Sequence, residues 1–279
     1  SETNAWQLTW RLPTSTCCTH HHTYLANTCP DCRRPFRDQH STPLRPVGAA
    51  LTCGNPLGSG RAARCPRELT TIPVQVAGPD EIARQHRHDQ ATQGMGRHMV
   101  GQQSTPADYL AETRNLACFL LHLAGQPGTR NLAPWSAEIQ RLNQTSRTPW
   151  ATSPPADPRL RSLVLTEADR ILTAPSPDAA ADMLTPWILL IPRGIEGPLS
   201  WVRDRTRLTP HVSSVMISAL NTRRRLSHIL DAQGPLTSRL AHIPQQIPAD
   251  LYQRHLAPLT TVTPATGRLF AALCLARSH

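Results

Sequence analysis

The sequence contains no lysine, so its 29 basic residues are all arginine. Against 19 acidic residues they give a net charge of +10 and a pI near 10.0. Two explanations of the missing lysine stay open: a GC-rich coding sequence, or selection for guanidinium groups that bind phosphate through two hydrogen bonds. Under either explanation the charge predicts a polyanionic partner, most simply nucleic acid.

Aromatic residues are also scarce, at 4% of the chain, and 27 prolines interrupt it. A core that is poor in aromatic rings must be built from Leu, Ala, Val and Ile, which favours helices over a β-sandwich. At 279 residues with 39% apolar content, the chain is long enough for one large or two modest domains.

Long apolar runs are missing too. The longest, near residues 183–191, is interrupted by Pro186 and is too short to span a bilayer. The first residues, Ser1-Glu2-Thr3-Asn4, have neither the charge nor the apolar run of a signal peptide. These absences predict a cytoplasmic protein without membrane contact, whose cysteines bind metal rather than form disulfides.

Cysteine is concentrated near the N-terminus, where Cys18 to Cys65 span 48 residues in the pattern C-x2-H-x7-C-x2-C-x20-C-x11-C. Cys29 and Cys32 form a C-x2-C knuckle whose two thiolates can face one ion. Cys53 and Cys65 are the natural complement, although their separation is longer than the usual two to four residues. The spacing predicts a structural zinc site made of these four cysteines.

Cys18 and His21 form a second half-site, C-x2-H, without a partner pair. Three explanations stay open: a second zinc ion completed upstream of Ser1, a mixed site with the knuckle, or no metal. Cys118 and Cys274 lie within apolar helical patterns, which predicts that they are core residues.

No catalytic motif accompanies these cysteines. The sequence has no H-E-x-x-H, no H-x-E with C-x-x-C, no phosphate-binding loop of the Walker type and no G-x-S-x-G. The absence of these motifs predicts a binding protein rather than an enzyme.

From about residue 76 onward the pattern changes to helices. Five dipeptides place a capping side chain directly before a proline, which is favourable at the first position of a helix: Thr105-Pro106, Asp157-Pro158, Ser176-Pro177, Thr209-Pro210 and Thr263-Pro264. The predicted helices cover 106–124, 158–174, 177–191, 210–231 and 264–277. A helix-turn-helix within 210–257 is a weaker prediction, and the alternation around Trp6 and Trp10 predicts a half-buried strand.

The residues around the cysteines resemble the signature of TniQ proteins. The matching positions are Trp6, Trp10-Arg11-Leu12-Pro13, Cys18-x2-His21, Leu25, Cys29-Pro30-x-Cys32 and Arg34-Pro35, and they cover about 35 residues. Cys53 and Cys65-x3-Leu69 look like a stretched form of the family's later ligands. The family's first C-P-x-C knuckle has no counterpart after Ser1, which implies that the partners of Cys18 and His21 precede it.

The resemblance implies an accessory protein of DNA transposition. Such proteins bind DNA or a DNA-targeting complex, often as dimers, and recruit an AAA+ ATPase that positions the transposase. The alternative function is a zinc-finger transcriptional regulator unrelated to transposition, and a metal-dependent enzyme is a third hypothesis.

Two groups of arginines are candidates for phosphate contact. Those that follow the knuckle are Arg33, Arg34 and Arg37; those near helix 210–231 are Arg205, Arg207, Arg223, Arg224 and Arg225. The alternative is that these arginines lie on a solvent-exposed surface and bind no partner. For the second group, the helix dipole alone would favour positive charge near a helix C-terminus.

Together these patterns predict a mostly α protein with a small N-terminal zinc-ribbon-like β module and a multi-helix C-terminal body. The predicted boundary places the module in residues 1–75 and the helical domain in 76–279.

Overall fold

The computed structural model describes residues 8–36, 51–57, 63–145, 150, 154–191, 201–202, 205–207, 209–221, 246–259 and 262–278. The chain divides into two compact units, Ser1–Leu220 and Asn221–His279. The described residues are mainly helical, as the composition predicts, and carry two small sheets. The predicted boundary near residue 75 stays a prediction.

Eight α-helices lie within the described residues. They are α1 (Pro79–Thr92), α2 (Pro106–Ala124), α3 (Ser136–Thr145), α4 (Pro158–Leu172), α5 (Pro177–Ile188), α6 (Pro210–Asn221), α7 (Ala249–His255) and α8 (Pro264–Ser278). The strands form two antiparallel pairs, β1 (Cys17–Cys18) with β2 (Thr23–Tyr24) and β3 (Arg97–Met99) with β4 (Gln102–Ser104).

All five helix starts predicted from a capping residue and proline are confirmed. The Thr105 hydroxyl accepts from the backbone N–H of Asp108 at 3.1 Å, and the side chains of Asp157 and Ser176 cap α4 and α5 in the same way. Helices α4 and α5 end two and three residues before their predicted ends. The remainder of the prediction 210–231, and the turn of the predicted helix-turn-helix, lie outside the described residues.

The strand predicted around Trp6 and Trp10 is wrong for the part that the structure describes. Residues Leu8–Arg11 form a 3-10 turn, and the Ser15 hydroxyl donates to the carbonyl of Thr9 at 2.7 Å. Hydrogen bonds within this turn therefore decide the local structure, and the alternation of apolar residues does not produce a strand here.

Ser1–Leu220 contains the main core. Helix α2 is central and packs mainly against α4, with α1, α3 and α5 also in contact. Its buried side chains include Leu116, Phe119 and Leu120, and Val212 and Met216 of α6 belong to the same core. Cys118 is buried as predicted, whereas Cys274 of α8 is only half-buried.

A buried ionic network links α1, α2 and α4. Asp169 is fully buried; its carboxylate accepts from the Tyr109 hydroxyl at 2.7 Å and from the Nε of Arg87 at 3.0 Å. Burial, followed by the negative charge of Asp169, raises the pKa of Tyr109 and keeps its hydroxyl protonated as a donor. The network fixes the three helices around one polar centre.

Asn221–His279 has a smaller core of Ile247, Tyr252 and Ala272 between α7 and α8. Gly267 of α8 permits this packing, because a Cβ at that position would lie 1.9 Å from the Tyr252 hydroxyl. Within the described residues, no helix combines the length and the apolar character that crossing a bilayer requires.

Replacing Thr105 by alanine is expected to lower the free energy of unfolding by about 1 kcal/mol, because the Asp108 N–H loses its acceptor at the start of α2. Chemical denaturation followed by tryptophan fluorescence measures this change, and Thr105→Ser, which keeps a hydroxyl, is the matched control. A serine variant as unstable as the alanine variant would contradict the capping role.

Candidate metal centre

The first half of the centre is a tight turn that carries Cys29 and Cys32. Thr28 and Pro35 form an isolated bridge, and the turn closes with hydrogen bonds from Cys29 N to Arg34 O at 3.0 Å and from Arg33 N to Cys29 O at 2.9 Å. Arg33 adopts a positive φ of 55°, which reverses the chain inside the turn. Both thiols therefore point to the same side.

The second half is a hairpin in which residues 51–57 pair with 63–69. Bridges join Thr52 to Glu68 and Pro56 to Arg64, and between them Gly54 N donates to Cys65 O at 3.1 Å. This pairing explains the spacing that looked unfavourable in the sequence. Cys53 and Cys65 come from the two paired segments, so the number of residues between these segments sets the separation of the cysteines along the chain.

The four thiols meet in one cluster. Their sulfur atoms all lie within 4.8 Å of one another; Cys29 Sγ is 3.7 Å from Cys65 Sγ, and Cys32 Sγ is 3.8 Å from Cys53 Sγ. Four sulfur ligands at about 2.3 Å from a tetrahedral zinc ion stand about 3.8 Å apart, whereas sulfurs in a disulfide are about 2.05 Å apart. The cluster thus fits a metal ion, and the predicted grouping of four cysteines could hold one.

Backbone and side-chain donors already surround the sulfurs. Three thiols accept a hydrogen bond from the backbone N–H two residues further along: Cys32 from Arg34, Cys53 from Asn55 and Cys65 from Arg67. Such donors stabilise the negative charge that thiolate ligands carry.

The ionisation of the thiols is uneven. Burial raises the pKa of Cys53 and of Cys65. Burial also opposes ionisation of Cys32, but hydrogen bonds from the Asn55 amide and the Arg34 backbone outweigh it and lower the pKa to about 7. Because charging four adjacent thiols is unfavourable, a bound cation is what would make all four thiolates stable together.

Asn55 holds the two halves together, and the sequence reasoning missed it. Its buried amide donates to Pro35 O at 3.1 Å and contacts Cys32 Sγ at 3.5 Å. Gly54, with φ of 63°, lets the hairpin turn that amide inward. The available signal was a polar residue two positions after a predicted ligand, within Cys53-Gly54-Asn55.

Cys18 and His21 lie together in the β1–β2 hairpin, apart from the four-cysteine cluster. Cys18 Sγ is 3.3 Å from His21 Nδ1, and both side chains reach solvent. Among the described residues, no other His, Cys, Asp or Glu joins the pair to form a group of three. A mixed site with the knuckle is therefore not what the structure forms.

The predicted nucleic-acid contacts have different surroundings. Arg33 and Arg207 are exposed. Arg34 Nη1 donates to Pro56 O at 2.7 Å and braces the two halves of the centre, and Arg205 stacks 4.3 Å above the ring of Trp201. The remaining candidates, Arg37, Arg223, Arg224 and Arg225, lie outside the described residues.

Comparison with known proteins gives no match, whether to family models, to curated proteins or to solved structures. The TniQ resemblance stays a prediction from the sequence.

Proposed function

We propose that this chain is a zinc-binding accessory protein of DNA transposition that binds DNA and recruits an AAA+ ATPase, which in turn positions the transposase. The observation that carries the proposal is the four-cysteine cluster, whose sulfur atoms lie within 4.8 Å of one another, with two pairs at 3.7 and 3.8 Å, close to the separation expected around a tetrahedral zinc ion. It lies in the segment whose residues resemble TniQ proteins.

Zinc would act as a structural ion in this function. Cys29, Cys32, Cys53 and Cys65 would hold it, and it would supply folding energy to a segment with few buried apolar side chains. The knuckle would then present Arg33 to a phosphate backbone. Cys18 and His21 are the proposed ligands of a second ion, which needs further donors.

The charge of the chain supports a DNA partner, and the proposed place of action is the cytoplasm. All 29 basic residues are arginine, and the net charge is +10. Guanidinium groups bind phosphate oxygens without reading the base sequence, so they would hold the protein on DNA while the ATPase is recruited. A homodimer would double the phosphate contacts.

Binding to a short DNA duplex is expected to weaken steeply with salt. Arg33→Ala is expected to make the slope of log K against log salt shallower by about 1, because one phosphate contact is lost. Fluorescence anisotropy across a salt series measures this slope. Arg170→Ala is the matched control, since Arg170 is 58% exposed on α4 and pairs with Glu167.

A second measurement separates the two candidate DNA-binding functions. An AAA+ ATPase is first sought among the genes that neighbour the gene of this chain. Its product is mixed with the purified chain, and co-elution is followed by gel filtration with and without the duplex. A complex supports the transposition function. DNA binding without any complex would favour a transcriptional regulator, and no DNA binding at low salt would overturn both.

A further inference from the structure

Three polar side chains that are far apart in the sequence meet where β4 leads into α2. Ser104 ends β4, Glu112 lies in α2, and His211 lies in the first turn of α6. Ser104 Oγ is 3.2 Å from His211 Nε2, and His211 Nδ1 is 3.2 Å from Glu112 Oε1. The order hydroxyl, imidazole, carboxylate is that of a nucleophile, its general base and the acid that orients the base.

The carboxylate end of this chain is firmly held. Glu112 is 2% exposed, and its oxygens accept from the backbone N–H of His211 at 3.0 Å and of Val212 at 2.9 Å. The Thr209 hydroxyl donates to the same carboxylate. With the imidazole proton on Nδ1 directed at Glu112, the Nε2 lone pair is left to accept the Ser104 proton.

Arg97 stands opposite Ser104 in the small sheet. It pairs with Ser104 in the β3–β4 ladder, so the two side chains share one face of the hairpin. The Nε of Arg97 is buried and has no hydrogen-bond partner in the structure. A buried donor without an acceptor is costly, and an oxygen that becomes negatively charged during a reaction would satisfy it.

We propose that Ser104, His211 and Glu112 form a nucleophilic site that cleaves carboxylic esters, with Arg97 facing the oxyanion. Ser104 is buried, at 7% exposure, and the His211 side chain beside it is 17% exposed. Ser104 also stands between a strand and a helix, the local setting of nucleophilic serines in many hydrolases. This activity is independent of the DNA-binding function.

The proposed reaction has two steps, acylation of Ser104 and hydrolysis of the acyl-serine. Ser104 Oγ bonds to the carbonyl carbon while its proton passes to His211 Nε2, and the oxyanion forms opposite Arg97. The carbon–oxygen bond of the ester then breaks, and His211 returns the proton to the leaving alcohol. Water, deprotonated by His211, next attacks the acyl-serine and releases the carboxylic acid and free Ser104.

Labelling with an alkyl fluorophosphonate tests the site on the full chain, because an activated serine displaces fluoride from this reagent. Trypsin releases residues 98–114 as one peptide in which Ser104 is the only serine. The expected result is a stoichiometric adduct on this peptide, and hydrolysis of 4-nitrophenyl acetate that Ser104→Ala abolishes. His211→Gln and Arg97→Gln are each expected to slow both reactions by about 100-fold or more.

Ser176→Ala is the matched control, because Ser176 is likewise close to the start of a helix but only caps α5. It should react like the wild type. An unlabelled wild type, an adduct outside residues 98–114, or equal ester hydrolysis by wild type and Ser104→Ala would each overturn the proposal. Ser104→Ala removes a single oxygen, and comparing its melting curve with that of the wild type separates a loss of reaction from a loss of fold.

Discussion

Replacing Cys29 by serine is expected to remove the cluster's metal ion and to unfold the cysteine-rich segment. Cys29 is fully buried, and its sulfur lies 3.7 Å from that of Cys65. A serine hydroxyl is a poor zinc ligand, and the metal contributes much of the folding energy of such segments. Metal analysis should find about one zinc ion fewer per chain, and hydrogen exchange should show lost protection in 28–36, 51–57 and 63–69.

The controls for this result use cysteines outside the cluster. Cys274→Ser should keep both the zinc content and the exchange protection. Cys18→Ser should keep the cluster's ion, because Cys18 does not belong to the cluster. A lower zinc content in this variant, with the cluster still protected from exchange, would indicate a second ion bound by Cys18 and His21. A wild-type chain that contains no zinc would contradict the metal centre itself.

Replacing Asp169 by alanine is expected to lower the free energy of unfolding by about 3–5 kcal/mol. The substitution leaves the buried Tyr109 hydroxyl without its acceptor and the half-buried Arg87 guanidinium without its counter-ion. It also opens a cavity between α2 and α4. Denaturation followed by tryptophan fluorescence measures the change within Ser1–Leu220, because all six tryptophans lie in that unit.

Glu167→Ala is the matched control on the same helix. Glu167 pairs at 2.8 Å with Arg170, which is 58% exposed, and an exposed pair of this kind contributes less than about 1 kcal/mol. If the two alanine variants were equally stable, the buried network would not be a major source of stability.

Local chemistry made the helix starts predictable. Thr105, Asp157 and Ser176 each offer an oxygen to the first turn, and the proline that follows requires no hydrogen bond. The starts of α1, α3 and α7 lack this pair and were not predicted individually. Helix α1 begins instead with Gly78-Pro79, and glycine has no side chain that could cap the helix.

The metal centre was predictable for a different reason. Cysteine is a rare residue, so Cys29, Cys32, Cys53 and Cys65 within one segment predict a shared metal site even before the distances between their sulfur atoms are known. The hairpin that makes the distance between Cys53 and Cys65 suitable depends on backbone pairing that no residue type signals. Asn55 was missed because its amide becomes a support only after the two halves have met.

The grouping of Ser104, Glu112 and His211 lies beyond sequence reasoning altogether. His211 is 107 residues from Ser104, and the three side chains come together only because α6 begins against α2. Neither G-x-S-x-G nor any other short pattern marks them. A motif search alone would therefore classify the chain as having no nucleophile.

The hydrogen bonds between residues 14–16, which lead into β1, and helix α1 limit where this protein can be divided. The Gln85 side chain accepts from the backbone N–H of Thr16, 69 residues away, and Arg84 donates to the carbonyl of Thr14. A fragment that ended near residue 75 would leave the Thr16 N–H and the Thr14 carbonyl without these partners. The cysteine-rich segment therefore depends on α1 for part of its hydrogen bonding. A recombination event that transferred this segment to another protein would have to transfer α1 as well.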